Sequence, residues 1–450
     1  MFDFFSSNVL SVIFVFGTVV IIHELGHFMM AKLFKIRVEA FAVGFGPRLF
    51  GFRKAETDYR VCAIPLGGYV KMAGENPHEE LTGSIEEFLS RPKWQRFLVA
   101  VMGPVMNILL AVFLLTGVYY HKYEEPAWLS EPIVAGIVEY DSPGEKAGIL
   151  PGDRIVAVSG TKDISWEEFA LEVATSVGRL LDLEIVRDGL TIHKEVTPEA
   201  QGRQRGGYIG VFPMTPPFAS LVVKNVMKGK PAAEAGILPG DKIIKVNNVD
   251  LIKAGKDLAD VLKRATSETV LLTILRNGQE ITLSVKPYKD SGRRLIGIER
   301  DQTQKMVVKK LSLGEAFGES IRKNVQFTGL IFDILQRLFR REVSLRMIEG
   351  PIGIARQSGL AARSGFSDLL FLMAAISLNL GIMNLLPIPV LDGGVIAIIL
   401  LETLIRRDLS LAIRERITQV GVVMLILLAV IVTYNDIIKS LPVSIEKYFP

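Results

Sequence analysis

Four long apolar stretches separate the polar parts of this chain, and each is long enough to cross a membrane as a helix. They lie at about residues 7–30, 97–120, 368–390 and 417–436. A helix needs about 20 mostly apolar residues to span the hydrocarbon core of a bilayer. The pattern therefore predicts a polytopic α-helical membrane protein with four transmembrane helices.

The long segment between the second and third stretches contains an internal repeat. The heptapeptide AGILPGD at 147–153 recurs at 235–241, and IVRDG at 185–189 parallels ILRNG at 274–278. Each copy has the pattern of a Pro-Gly-Asp turn, an alternating strand, a helical stretch and a hairpin. We therefore expect two homologous α+β modules.

A third pattern follows the repeats. Within residues 310–366, apolar side chains such as Ile321, Val325 and Leu330 recur at helical spacing. An amphipathic helix of this kind either lies on the membrane surface or packs on the neighbouring modules. A gate above an active site is the functional alternative, and the pattern alone leaves these interpretations open.

Composition agrees with a protein that has both membrane and soluble parts. Hydrophobic residues make up 49% of the chain, yet 22% of residues are charged. The net charge of +4 is too small to predict binding to nucleic acid. Cys62 is the single cysteine, so the chain can form neither an internal disulfide nor a cysteine-rich metal site.

Basic residues predict how the spans are oriented, because positive charges concentrate in cytoplasmic loops. Such residues follow the first span, precede the second and separate the third from the fourth: Lys32, Lys35, Arg37, Arg91, Lys93, Arg96, Arg406, Arg407, Arg414 and Arg416. These loops are therefore expected in the cytoplasm. Both termini and the repeated modules are then expected on the outer side.

The most specific chemistry lies inside the first span. Residues 23–27 read HELGH, so His23 and His27 share one face of a helix and can hold one metal ion. Glu24 lies beside the same position and can accept a proton from a water molecule. Ionisable groups at membrane depth need a partner and indicate function. The motif predicts zinc-assisted hydrolysis within the membrane, and a pair of core histidines is the structural alternative.

A second polar cluster interrupts the third span. Asn379, Asn384, Pro387 and Pro389 precede Asp392 and a Gly-Gly pair. Proline cannot continue a regular helix, and the freed backbone groups must be satisfied within protein or in a wet cavity. Asp392 could complete a site of two histidines and one carboxylate, with one position left for water. A simple kink, with Asp392 among the lipid headgroups, is the structural alternative.

These motifs together resemble the site-2 protease family of intramembrane zinc metalloproteases, and more narrowly its bacterial regulator-of-sigma-E group with tandem PDZ domains. The matching elements are HELGH, GFGP at 44–47, IPLGGYVK at 64–71, Gly103-Pro104 with Asn107, and the segment 379–394. Each repeat is similar to a bacterial PDZ module, which binds extended peptides at a sheet edge. Rigid caps that bind nothing are the alternative for the modules. Many relatives have a histidine after the Gly-Gly pair, whereas this chain has Val395.

The resemblance implies a role for each motif. It implies that Glu24 is the catalytic base and that His23, His27 and Asp392 bind Zn²⁺. It also implies substrate-binding residues in a membrane-reentrant β-hairpin and in the third span: Gly67, Gly68, Tyr69, Asn379, Asn384, Pro387 and Pro389.

The predicted organisation follows the chain in eight segments. They are transmembrane helix 1 (1–31), a cytoplasmic loop with the reentrant hairpin (32–96), transmembrane helix 2 (97–120), PDZ domain 1 (127–212), PDZ domain 2 (213–300), the amphipathic segment (310–366), the broken transmembrane helix 3 (367–405) and transmembrane helix 4 (416–438).

The implied function is hydrolysis of a peptide bond within the transmembrane segment of single-pass proteins. The resemblance implies an anti-sigma factor as substrate, with remnant signal peptides as a second class and the PDZ domains as filters. It implies a bacterial inner membrane, with the termini and PDZ domains in the periplasm and the active site toward the cytoplasm. A membrane-anchored PDZ binding protein with a non-catalytic metal site is one rival, although such a site needs no general base. A transporter built on the broken helix is another, but four spans without an inverted repeat do not favour it.

Overall fold

The computed structural model describes residues 8–75, 82–121, 123–201, 206–213, 221–251, 258–290, 293–301, 306–340 and 349–440. These residues form two compact units, one within 1–123, 309–336 and 348–450, the other within 124–308 and 337–347. The chain ends at 1–7 and 441–450 lie outside the described residues. The outer position of both termini therefore stays a prediction.

The helices of the described residues are given in chain order. They are α1 Asn8–Leu33, α2 Lys93–His121, α3 Pro143–Lys146, α4 Trp166–Thr175, α5 Pro231–Glu234, α6 Leu258–Arg264, α7 Leu313–Phe339, α8 Pro351–Ser364, α9 Phe366–Leu385, α10 Asp392–Leu404 and α11 Leu411–Ser440, with a 3-10 helix at Ala127–Ser130.

The strands are numbered in the same way. They are β1 Val38–Lys54, β2 Thr57–Met72, β3 Tyr123–Pro126, β4 Ile137–Val138, β5 Arg154–Val158, β6 Thr161–Lys162, β7 Leu181–Arg187, β8 Leu190–Val196, β9 Glu199–Gln201, β10 Gly206–Tyr208, β11 Val211–Phe212, β12 Val223–Val226, β13 Lys242–Val246, β14 Val249–Asp250, β15 Val270–Arg276, β16 Gln279–Val285, β17 Tyr288–Asp290, β18 Arg293–Leu295, β19 Ile298–Arg300 and β20 Met306–Lys309.

Apolar helices form the core of the first unit. Segments of α1, α2, α9 and α11 are long and apolar enough to cross a membrane, in agreement with the four predicted spans. Side chains of α1, α2 and α9 share one buried cluster that includes Val15, Val19, Ala111, Leu115, Met373 and Leu378. This packing holds α1, which carries the HELGH motif, against α2.

Helix α7 buries several polar side chains and exposes several large apolar ones. Ser320 and Asn324 are buried, and Ser320 Oγ donates a hydrogen bond to the carbonyl of Val112 in α2 at 2.7 Å. Its exposed side chains include the large apolar ones of Leu313, Phe317, Ile321, Val325 and Phe332, together with polar ones such as Glu315 and Arg322. Within the first unit α7 therefore contacts α2 at Ser320, a contact that the periodicity alone did not predict. Apolar side chains that face outward suit lipid surroundings.

Strands β1 and β2 fold back on themselves and form four runs rather than a single hairpin. The run 38–43 lies between 68–72 and 57–62, and 48–54 pairs with the far side of 57–62. One bend falls at Gly67, whose φ of 90° is accessible to glycine without strain. The predicted hairpin thus corresponds to the edge of a larger sheet. Among the described strands, the run 68–72 pairs only with 38–43.

The second unit contains two modules of the same topology. The strand order is β6-β5-β7-β8 in the first module and β14-β13-β15-β16 in the second. Each has its own buried cluster, with Ile155 and Ile185 in one and Ile243 and Ile274 in the other. These isoleucines are partners across paired strands. The sequence repeat therefore corresponds to two separate α+β cores.

The same ion pair recurs in both modules. Arg276 donates from Nε and Nη2 to the two carboxylate oxygens of Asp241, each at 2.7 Å, and also to the carbonyl of Gly236. Arg187 makes the same contacts with Asp153 and Gly148. Burial of Asp241 opposes its ionisation, but the hydrogen bonds it accepts outweigh burial and hold its pKa below the ordinary value.

We expect Arg276→Met to destabilise the second module by about 1–3 kcal/mol, because the Asp241 carboxylate loses charge-assisted hydrogen bonds. Hydrogen exchange of the intact protein, read by mass spectrometry, should show faster exchange in β13 and β15. Arg187→Met is the matched control and should affect only the first module. Exchange that rises equally in both modules would contradict separate cores.

The same pair predicts a dependence on pH. Because the folded pKa of Asp241 is lowered, its contribution is fully present above its unfolded pKa of about 4 and is lost as pH falls through the folded pKa. The difference in stability between wild type and Arg276→Met should therefore shrink in acid. A difference that is constant from neutral pH into acid would contradict this assignment.

Candidate metal centre

Two histidines and an aspartate from distant parts of the chain meet inside the first unit. His23 and His27 lie one turn apart on α1, and Asp392 is the first residue of α10. Nε2 of His23 is 3.1 Å from one carboxylate oxygen of Asp392, and Nε2 of His27 is 3.4 Å from the other. The two Nε2 atoms are 3.2 Å apart. The three predicted ligands therefore form one cluster, in which the histidines are only 7% and 9% exposed.

A break in the helix brings Asp392 to this position. α9 ends at Leu385 and α10 begins at Asp392, because Pro387 and Pro389 lack the N–H groups that a continuous helix needs. Val390 has a φ of 82°, which is rare for a β-branched residue and costs about 1–3 kcal/mol. Asp392 then lies in the first turn of α10, where the helix dipole favours a carboxylate.

The Gly-Gly pair after Asp392 allows the turn to close. A Cβ atom on Gly393 would lie 2.1 Å from the carbonyl oxygen of Leu386. A Cβ atom on Gly394 would lie 2.4 Å from the carbonyl oxygen of Ile388. A side chain at either position would force the turn apart, so these glycines act through packing.

Helix α2 orients both imidazole rings. Nδ1 of His27 donates a hydrogen bond to the carbonyl of Val99 at 2.8 Å. Nδ1 of His23 is 3.2 Å from the Asn107 side-chain nitrogen, while Asn107 Oδ1 has no partner among the described residues. Turning the amide lets Oδ1 accept from a protonated Nδ1 of His23 and satisfies that orphaned oxygen. Both rings then keep the proton on Nδ1 and leave Nε2 with a lone pair.

The spacing and chemistry of the donor atoms fit zinc. Two Nε2 lone pairs would face the Asp392 carboxylate with no proton between them, which calls for a cation. A tetrahedral zinc ion with bonds of about 2.0–2.1 Å separates its ligand atoms by about 3.3–3.4 Å. The observed separations are 3.1–3.4 Å. Two imidazoles and one carboxylate also leave a position for water, as catalytic zinc sites do.

A cavity of about 500 Å³ lies beside this cluster. Its wall includes the three residues described above together with Glu24, Tyr69 and Asn384. Val70, which lies in the edge run of the sheet, lines the same cavity. Asn384 Nδ2 is 3.4 Å from Nε2 of His23. A general base, a donor set for metal and an edge strand therefore share one cavity.

The predicted substrate-binding residues are only partly brought together. Tyr69 and Asn384 line the cavity. A Cβ atom on Gly68 would lie 3.5 Å from Cγ of Glu24. Within the described residues, the cavity wall does not include Asn379. The reason is geometric, because five positions along α9 turn a side chain about 140° away from Asn384.

The other three predicted residues shape the surroundings of the cavity. An added Cβ on Gly421 of α11 would lie 2.4 Å from the Pro389 side chain. An added Cβ on Gly67 would lie 2.3 Å from the ring of Phe45. Pro387 is exposed. Gly67 and Pro389 therefore affect how the strands and helices pack, whereas Pro387 contributes to the break between α9 and α10.

Two residues of α2, Gly103 and Asn107, lie against the histidine pair, a placement that the sequence did not predict. Asn107 contacts His23, and a Cβ atom on Gly103 would lie 2.3 Å from Nε2 of His27 and 2.9 Å from Cε1 of His23. Their four-residue spacing puts both on one face of α2. The sequence feature that indicates this pair is a small residue followed four positions later by a polar Asn within an otherwise apolar helix.

Nearly the whole chain is similar in sequence to known proteins. The model of Peptidase family M50 matches residues 11–428. "Regulator of sigma E protease" of Haemophilus influenzae is 29% identical, over 95% of this chain and 98% of that relative. "Regulator of sigma-E protease RseP" of Escherichia coli K12 is 28% identical, over 95% of this chain and 97% of that relative. A Lactococcus lactis protein, provisionally named a zinc metalloprotease, is 30% identical, over 96% of this chain and 99% of its own length.

We expect Gly103→Ala to lower the affinity for zinc by about 10–100-fold or more, because the new methyl group would occupy the space beside both imidazoles. Zinc content after dialysis against graded chelator measures this effect. Gly117→Ala is the matched control on the same helix, since a Cβ there meets nothing within 4 Å. Equal zinc affinity of the two variants would refute the close packing of α2 on the histidines.

Proposed function

The chain belongs to Peptidase family M50, the site-2 proteases, and is a zinc metalloprotease; on that premise we propose that His23, His27 and Asp392 hold the zinc ion and that the protein cleaves peptide bonds within single-pass transmembrane segments. The observation that carries this proposal is the shared cavity. The three donor residues, the half-buried carboxylate of Glu24 and the edge run of the sheet all border it.

In the proposed reaction each residue has one task. Zinc, when bound, supplies a Lewis acid that polarises a carbonyl group and makes a bound water more acidic. Glu24 accepts a proton from the attacking water and returns it to the leaving amine. Asn107 and the Val99 carbonyl keep the two imidazole rings in the required orientation. Asn384 helps to hold the substrate beside His23.

The substrate enters as an added strand. A transmembrane helix hides its peptide bonds, so it must unwind, and its freed backbone groups need partners inside protein. The run 68–72 pairs on one side only among the described strands, and it borders the cavity through Tyr69 and Val70. Strand addition at this edge would present an unwound segment to Glu24.

The outer part of the protein filters substrates. The two modules are proposed to be tandem PDZ domains on the periplasmic side of a bacterial inner membrane, with the active site toward the cytoplasm. Their common topology and separate cores support two modules. The proposed substrate is an anti-sigma factor already shortened on its outer side, in line with the names of two relatives. Remnant signal peptides form a second proposed class.

We expect Glu24→Gln to lower cleavage of a single-pass model substrate by about 10²–10⁴-fold, because Gln cannot accept the proton. Purified protein in detergent, with zinc content matched to wild type, measures the rate. Zinc content should be retained, since the metal donors are His23, His27 and Asp392.

Equal cleavage by Glu24→Gln, with a contaminating protease excluded by Asp392→Ala, would contradict the assigned base. Absence of cleavage by zinc-loaded wild type on outer-shortened substrates would favour the rival, a membrane-anchored binding protein with a non-catalytic metal site.

A further inference from the structure

A second charged cluster borders the same cavity, away from the histidines. Arg96 of α2, Glu402 of α10 and Arg414 of α11 all contribute to the cavity wall. Glu402 is completely buried and Arg96 is only 5% exposed. Arg414 donates a hydrogen bond to Oε1 of Glu402, whereas Oε2 of Glu402 lies 4.0 Å from Nη2 of Arg96. Charged side chains of three helices therefore converge on one wall.

This cluster is incompletely satisfied. Nε of Arg96, Nε of Arg414 and Oε2 of Glu402 have no hydrogen-bond partner among the described residues. A buried charged group without its hydrogen bonds is unfavourable. Two guanidinium groups facing one carboxylate also leave one positive charge in excess. The two unsatisfied guanidinium nitrogens and the excess positive charge call for an anionic group that enters from the cavity.

The carboxylate of an acidic side chain in a bound peptide matches this demand best. The planar guanidinium group pairs with a carboxylate through two parallel hydrogen bonds. On the proposed function, on which this inference rests, the occupant of the cavity is an unwound substrate segment. We propose that Arg96 and Arg414 form a subsite for an acidic side chain of the substrate, at a fixed distance from the bond that is cleaved.

The length of α10 between Asp392 and Glu402 gives the spacing between the metal centre and the proposed subsite. Asp392 and Glu402 lie ten positions apart on α10, which corresponds to about 15 Å of helix rise. An extended peptide advances about 3.3 Å per residue. The acidic residue should therefore lie about four to five residues from the scissile bond, on one side of it.

A purely structural clasp is the alternative, and Lys93 separates the two interpretations. Lys93 lies one turn before Arg96 on α2, donates to the backbone carbonyl of Glu402 at 3.0 Å and pairs with Asp408 at 2.9 Å. Lys93 is not one of the described residues that line the cavity. Lys93→Met therefore removes the same charge from the same helix end while both guanidinium groups of the proposed subsite stay in place.

Binding to the full-length Glu24→Gln protein tests the subsite without cleavage. A labelled single-pass peptide carries Asp or the neutral isostere Asn at each position in turn, and fluorescence anisotropy in detergent gives each Kd. We expect Asp to bind about tenfold tighter than Asn at one or two adjacent positions only. Adding Arg96→Met, or Arg96→Gln as a second neutral replacement, should bring the ratio of the Asn-peptide Kd to the Asp-peptide Kd close to one. Adding Lys93→Met should leave this ratio at about ten. Zinc content and thermal unfolding verify that each variant folds.

Wild-type protein then cleaves the same peptides, and mass spectrometry locates the bond relative to the favoured Asp. A Kd ratio near one at every position would overturn the subsite. So would a preference for Asp that Arg96→Met leaves unchanged, or one that Lys93→Met abolishes as fully as Arg96→Met does. Failure of wild type to cleave any peptide would contradict the proposed function instead, while the binding ratios still decide the subsite.

Discussion

Ionisable groups within an apolar helical bundle must satisfy one another, and this constraint organises the first unit. Two imidazoles and a carboxylate lie 3.1–3.4 Å apart because each would be unfavourable alone. Meeting the constraint requires a helix that stops and restarts, which explains the prolines and the strained Val390 before Asp392. It also requires α2 to approach α1 closely, which Gly103 allows. The chemistry of a zinc metalloprotease thus depends on local breaks in otherwise regular helices.

The same constraint governs the proposed substrate. A peptide unwound within a membrane exposes N–H and C=O groups that lipid cannot satisfy. The edge run 68–72 pairs on one side only among the described strands and borders the cavity that Glu24 also lines, so strand addition there would meet that demand beside the proposed general base. Arg96 and Glu402 extend the argument to side chains, since their unpartnered atoms border the same cavity. On the proposed function, the edge run and this charged cluster would both supply polar partners to an unwound segment in the cavity.

Local patterns predicted much of this arrangement, and long-range packing accounts for the rest. HELGH placed both histidines on one helix face, and the prolines before Asp392 predicted the break between α9 and α10. The heptapeptide repeat predicted two modules. The four-run sheet of β1 and β2 was not predicted, because its pairing depends on bends within each strand. Nor was the burial of polar side chains of α7, whose Ser320 bonds to a carbonyl of α2 about 200 residues away. Asn107 shows the same limit, since its spacing was visible but its contact with His23 was not.

The central claim is that two histidines and an aspartate from opposite parts of the chain hold one zinc ion. X-ray absorption at the zinc edge of the purified protein tests it most directly. The account predicts two imidazole nitrogens at about 2.0–2.1 Å and carboxylate or water oxygens at about 2.0–2.2 Å, with one carboxylate oxygen lost in Asp392→Ala. A sulfur ligand at about 2.3 Å, a number of imidazoles other than two, or a spectrum unchanged by Asp392→Ala would contradict it.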